Sequence, residues 1–242
     1  RKKKSSSKQT RLFLVLTPTL ANPYYSELIQ ELESYADQCG YRVIVGNTFR
    51  KSELEKYYLE HFNKVSGIIY TFLPSFPHMI EQLAQSLPVV IIGEKQDNLA
   101  VCSIELSNIK AGALVAEHLY QLGHRQYMFI STPFNRFTLA REQRLDGMRN
   151  FWSAHDLSDC VQVVVPEEQS EIETTAYPRP YEFETGRQLT LDLLDKGCAA
   201  TAFIGVNDMT ALGIIAALKE RGLRIPEDYS VCGFDNIFVG SI

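Results

Sequence analysis

The sequence predicts an α/β protein of two doubly wound parallel-sheet lobes, and three observations carry that prediction. Strand-length runs are apolar throughout instead of alternating, as in strands buried on both faces of a parallel sheet. Between each pair lies an amphipathic stretch long enough to be the helix of a right-handed crossover. The alternation then repeats beyond a boundary near Leu106, so the same architecture is written twice.

The first lobe, 11–106, opens with the apolar run 12–16, followed by a helix over 23–38. Asn22 is a good N-cap, Pro23 is preorganised for a first helical turn, and Gly40 stands where a left-handed residue ends a helix. Strand 41–45, helix 52–62, strand 67–72, helix 76–86 and strand 88–92 follow, and Ser52 with Glu55 reads as a capping box. The second lobe, 107–236, runs helix 108–122, strand 127–131, helix 139–155, strand 161–165, helix 183–195, strand 201–204, helix 208–221 and strand 230–233. Two irregular stretches interrupt it, 132–138 and 166–181, the second holding Pro166, Pro178 and Pro180. Both follow strands, where loops either line a cleft or run over the surface. Two such lobes place a ligand cleft at the carboxyl ends of their strands.

With 45% hydrophobic and 22% charged residues, the composition is that of a globular protein and excludes wholesale disorder. No apolar run approaches the roughly 20 residues of a membrane span. The N-terminus is basic without the apolar stretch of a secretory signal, so a cytoplasmic protein with no membrane partner is expected. The five cysteines are scattered, with no CxxC, and read as reduced thiols. Arg1, Lys2, Lys3, Lys4, Lys8 and Arg11 fall in the first eleven residues with no acid among them, leaving 18 of the 24 basic residues against 29 acids. An acidic body suits DNA poorly, whereas a basic Ser-rich lead at 1–10 is either a solvated tail or a segment that lies beside DNA.

GxGxxG, GxxxxGK[ST], GxSxG and HExxH are all absent, so an enzyme is not indicated and no cofactor is expected. His118 and His124 sit on or just after an apolar-faced helix and read as structural. More informative are residues just after strands. Tyr24 and Tyr25 either stack on a flat ligand or pack against a neighbouring helix. Asn207 either caps the next helix or offers its amide to a ligand. Asp235 is placed to accept from hydroxyls, and Arg144, early in the helix after 134–137, to reach the cleft with its fork.

Five stretches, Asn22–Tyr25, His118–Arg125, Arg144–Gly147, Val206–Gly213 and Arg224–Asn236, resemble in order those of the lactose-repressor (LacI/GalR) regulators. The resemblance covers essentially the whole chain and implies a periplasmic-binding-protein-like fold of type I. It also implies that the cleft takes a small effector, usually a sugar, sugar phosphate or nucleobase, and that the lobe orientation controls operator DNA binding by a homodimer. It makes 1–10 the linker from a helix-turn-helix headpiece absent from this chain, and 237–242 the start of a crossover back to the first lobe. Carried over, Tyr24 and Tyr25 match aromatic effector contacts, Arg144 the cleft arginine, Asn207 the amide and Asp235 the carboxylate, with Arg144 and Asp235 expected on opposite sides of a bound ring. Tyr181 matches an aromatic wall position, and Phe72, ending the third strand, is a further wall residue. Where many members open the first helix of the second lobe with Asp-Asn, this chain has Asn108-Ile109, removing one polar contact. The expected function is therefore a ligand-responsive repressor core that binds a sugar. A periplasmic sugar-binding protein of a transporter shares the fold but not the basic lead, and an enzyme would need a His or Cys at a matched cleft position.

Overall fold

A computed structural model describes residues 11–62, 64–93, 99–134, 139–166 and 180–241. The basic lead 1–10, parts of both irregular stretches (135–138 and 167–179) and Ile242 lie outside the described residues. The chain divides into two compact units between Leu106 and Ser107.

The first unit runs β1 (Leu12–Thr17), α1 (Pro23–Gln38), β2 (Arg42–Asn47), α2 (Ser52–His61), β3 (Gly67–Tyr70), α3 (Pro77–Ala84), β4 (Val89–Ile92) and β5 (Cys102–Ile104). All pairings are parallel, in the order β2-β1-β3-β4-β5. The apolar strand runs bury Leu14, Leu16, Ile68, Tyr70 and Ile91 against Leu59 of α2 and Ile80 of α3. The ends of α1 are as its sequence dictates. Asn22 accepts from the Tyr24 N–H at 3.0 Å, Pro23 is the first helical residue, and Gly40 has φ 76°.

Three expectations for this unit need correction. Four strands were expected and a fifth, β5, is present; its three residues are partly exposed at the sheet edge, with no apolar run to mark them. The strand expected to reach Phe72 ends at Tyr70, placing Phe72 in the following loop. There is no Ser52/Glu55 capping box: Ser52 is the first helical residue, Lys51 takes the cap position without a side-chain capping bond to the helix, and the Glu55 carboxylate is drawn inward by Ser75 and Tyr70.

The second unit runs α4 (Asn108–Gln121), β6 (Tyr127–Ile130), α5 (Leu139–Ser153), β7 (Val161–Val164), α6 (Tyr181–Lys196), β8 (Ala202–Gly205), α7 (Asp208–Glu220), β9 (Ser230–Cys232) and a 3-10 turn at Phe238–Ser241. Its parallel sheet, β7-β6-β8-β9, repeats the order of the first sheet less one strand. Alternation along β6 sends Tyr127 and Phe129 to one core with Met148 and Trp152, and Met128 and Ile130 to another with Ile214 and Leu218. Both faces are thus covered, as continuous apolar strands require. Trp152 is fully buried, stacked on Tyr127 with ring centroids 4.3 Å apart. His124 bridges the starts of two strands, its ring nitrogens 2.7 Å from Thr201 Oγ1 and 2.9 Å from Ser230 Oγ, and burial lowers its pKa. His118 is exposed.

Strand order reverses between β1 and β3 in one sheet and between β6 and β8 in the other. Such switch points, at the carboxyl ends of the strands, are where open α/β sheets bind ligands.

Candidate functional site

At the switch point of the first unit, Thr17 ends β1 and Thr71 follows β3. The Thr71 N–H and hydroxyl both donate to the Leu16 carbonyl, at 3.0 and 3.2 Å. Tyr24 and Tyr25, opening α1 behind the Asn22 cap, are half-buried and meet edge to face with centroids 5.1 Å apart. Phe72 is half-buried, its ring 5.3 Å from that of Tyr70, so it leans on the core at this same end of the sheet.

In the second unit the geometry centres on Arg144, whose side chain is 18% exposed. Its Nε donates to Asn108 Oδ1 at 3.0 Å, Nη1 to the Val206 carbonyl at 2.7 Å, and Nη2 to Asp235 Oδ1 at 3.4 Å. The guanidinium plane also rests 4.7 Å above the Phe234 ring. A planar five-donor group held at three edges and one face has little freedom left. Helix packing makes this possible: Gly112 and Gly147 let α4 and α5 approach backbone to backbone, bringing the Arg144 and Asn108 side chains within reach.

Asp235 sits in a turn with φ 106°, and Asn236 follows at φ 56°. For residues other than glycine this conformation is strained and persists only when the surroundings hold it. Asp208, the first residue of α7, does so, donating its N–H to the Phe234 carbonyl at 2.7 Å and accepting the Ile237 N–H on Oδ2 at 2.9 Å. Gly233 is required beside it, since a Cβ there would stand 2.4 Å from Asp208 Oδ1. Burial pushes the Asp235 carboxyl up to about 6 against the pull of Arg144, and Asp208 adds like-charge repulsion; burial raises Asp208 also.

Arg144 and Asp235 are therefore not spaced across a ring. They form one ion pair, because a carboxylate only 11% exposed needs its counter-charge at hand. Together they present cation donors and an anion acceptor side by side. Asn207 lies next to Val206 and takes the capping alternative, its Oδ1 accepting from Thr210 N–H and hydroxyl, both at 2.9 Å. Among the described residues its NH2 group has no partner, so the cap leaves the donor half of the amide available. Tyr181 was expected at the end of an irregular stretch. It is instead the first residue of α6, with Pro180 at the cap position, and among the described residues it makes no bond to the Arg144 cluster.

Sequence reasoning missed Asn108 and Asp208 as members of this cluster. From sequence the pair Asn108-Ile109 reads as the loss of one polar contact, whereas the structure buries Asn108 to 8% exposure at the start of α4, where its amide oxygen meets Arg144. Among the described residues no group of acids, histidines or cysteines is arranged to hold a metal ion, and no helix is long and apolar enough to cross a membrane.

Comparison with known proteins agrees with this architecture. Residues 10–240 match the family described as periplasmic binding proteins and sugar binding domain of LacI family. The chain is 28% identical to the HTH-type transcriptional regulator DegA of Bacillus subtilis, over 98% of this chain and 68% of that protein. It is 28% identical to the HTH-type transcriptional repressor CytR of Escherichia coli, over 95% of this chain and 64% of that protein, so it spans about two thirds of these relatives' length. It also superposes on a periplasmic binding protein/LacI transcriptional regulator of Alkaliphilus metalliredigens, complexed with D-xylulofuranose, with TM-score 0.74 and 26% identity over 96% of this chain and 80% of that one. Two α/β units with parallel sheets, and a family match running nearly from end to end, lead to one conclusion: the chain belongs to the family of periplasmic binding proteins and LacI sugar-binding domains.

Proposed function

We propose that this chain is the effector-binding core of a ligand-responsive transcriptional repressor whose effector is a small sugar. The observation that carries the reading is the Arg144–Asp235 pair, partly buried at the carboxyl ends of the second sheet's strands and framed by Asn108 and Asn207. Adjacent guanidinium donors and a carboxylate acceptor suit the vicinal hydroxyls of a sugar ring. The reading also assigns effector contact to the aromatic residues Tyr24, Tyr25 and Phe72 of the first unit and Tyr181 of the second. Support for the ligand class comes from the relative complexed with D-xylulofuranose, and support for a regulator over a transport protein from the names of DegA and CytR. The chemistry is binding without catalysis. In this reading the regulator is a cytoplasmic homodimer that engages operator DNA through a helix-turn-helix segment of the kind for which DegA and CytR are named. The sugar shifts operator affinity only through its differential affinity for two arrangements of the units, typically about 1–3 kcal/mol.

The test is a thermal-shift screen of this chain against D-xylulose, other mono- and disaccharides, sugar phosphates and purines, repeated with Arg144→Ala and Asp235→Ala. A ligand of the folded state at a hundredfold excess over its Kd adds about 2.7 kcal/mol, a rise of several degrees. The expected result is a sugar that stabilises the wild type and neither variant. A purine as the only hit would overturn the ligand class, and equal shifts in all three proteins would overturn the site.

A further inference from the structure

We propose that Glu55 is a positioning residue for effector binding, its buried carboxylate holding Ser75 and so fixing the loop 71–76 that carries Phe72. The inference rests on the reading of Phe72 as an effector contact.

Glu55 lies in the first turn of α2, and its side chain turns into the core until the residue is 1% exposed. Both carboxylate oxygens accept from the Ser75 N–H, at 3.0 and 3.3 Å, and Oε1 also accepts from the Tyr70 hydroxyl at 3.2 Å. Among the described residues no lysine or arginine is paired with it, and burial raises its pKa despite three hydrogen bonds. For stability alone this is a poor use of a carboxylate, because burying an uncompensated charge outweighs what a backbone N–H and a phenol return.

Its placement gives it a different use. The loop after β3 is pinned at its near end by Thr71, which donates twice to Leu16 of β1, and at its far end by Ser75, which donates to Glu55. Phe72 stands between the pins and leans on the Tyr70 ring, whose hydroxyl is held by the same carboxylate. One side chain thereby fixes both the loop and the surface beneath Phe72. A loop ordered in advance binds without the entropy loss that a loose one incurs on complex formation, so the effect of Glu55 falls on affinity as well as on stability.

The experiment compares the full chain with Glu55→Leu, Glu55→Gln, Ser75→Pro and Leu59→Ala, the last a core residue of α2 that is 2% exposed and whose apolar side chain makes no hydrogen bond to the loop. Two readouts are taken: calorimetric titration with D-xylulose and amide exchange of the segment 71–76. Glu55→Leu is expected to weaken D-xylulose binding about tenfold or more and to speed exchange at Ser75. Glu55→Gln, whose amide oxygen still accepts from Ser75, stays within about threefold of the wild type. Ser75→Pro deletes the same bond from the loop side and weakens binding similarly, which keeps the test open should Glu55→Leu fail to fold. Leu59→Ala lowers the melting temperature but not the affinity. The proposal is overturned if Glu55→Leu or Ser75→Pro binds as the wild type does, or if Leu59→Ala loses as much affinity. A wild type that binds no D-xylulose rules that sugar out as the effector, and exchange then decides alone: acceleration confined to 71–76 in Glu55→Leu supports the positioning role, and unchanged exchange overturns it.

Discussion

Asp235 is 11% exposed and faces a second carboxylate, Asp208, and with Arg144 at 3.4 Å it still holds its proton up to about pH 6. Because the folded pKa is raised above 3.8, the stability linked to that proton is fully present below about pH 4 and is lost as pH rises through 6. Asp235→Asn removes the buried charge, keeps an oxygen for Arg144 and better tolerates the positive φ. It is expected to be more stable than the wild type at pH 7.5 by about 1–3 kcal/mol, with the difference closing below pH 4 and sugar affinity reduced. Urea unfolding at the two pH values measures this, and equal stabilities at pH 7.5 would refute it. At this scale the sequence showed which residues stand at strand ends, since that follows from element order. It did not show that Arg144 and Asp235 touch, or that Asn108 and Asp208 hold them, because side-chain partners separated by up to 91 residues are chosen by packing.

Between elements, the closest approaches are made by glycines. A Cβ at Gly112 would stand 1.9 Å from the Arg144 carbonyl oxygen, and one at Gly147 would stand 1.9 Å from that of Ile109, so α4 and α5 cross where neither has a side chain. The pair α6 and α7 repeats the device, Gly186 against Thr210 and Gly213 against Phe183. Gly147→Ala must push α5 off α4. The expected outcome is a loss of about 1–3 kcal/mol of stability or more, with weaker sugar binding as Arg144 moves from Asn108. Chemical denaturation and calorimetry test the two halves of this prediction. Elements with strong local signals were legible: α1 begins and ends where Asn22, Pro23 and Gly40 say. Those whose limits are tertiary were not. β5 exists only because β4 pairs with it, and the capping box failed because Ser75, 20 residues on, recruits the Glu55 carboxylate.

At the scale of the whole chain, each unit carries its own cores, and none of the three core clusters mixes residues from both. A unit with a complete core folds alone, so the fragment 107–242 is expected to show far-UV circular dichroism of an α/β protein and a cooperative thermal transition; a featureless melt would contradict it. The doubly wound class was legible because continuous apolar strands leave no other parallel solution, and the repeated strand order followed from the repeated alternation. The chain has a single tryptophan, Trp152, and it is wholly buried against Tyr127 in the second unit. Its emission is therefore a spectroscopic label built into one unit. Light absorbed selectively by indole will follow the melting of 107–242 alone, the first unit stays dark to it, and a mismatch between that signal and circular dichroism resolves the two unfolding steps without any added dye.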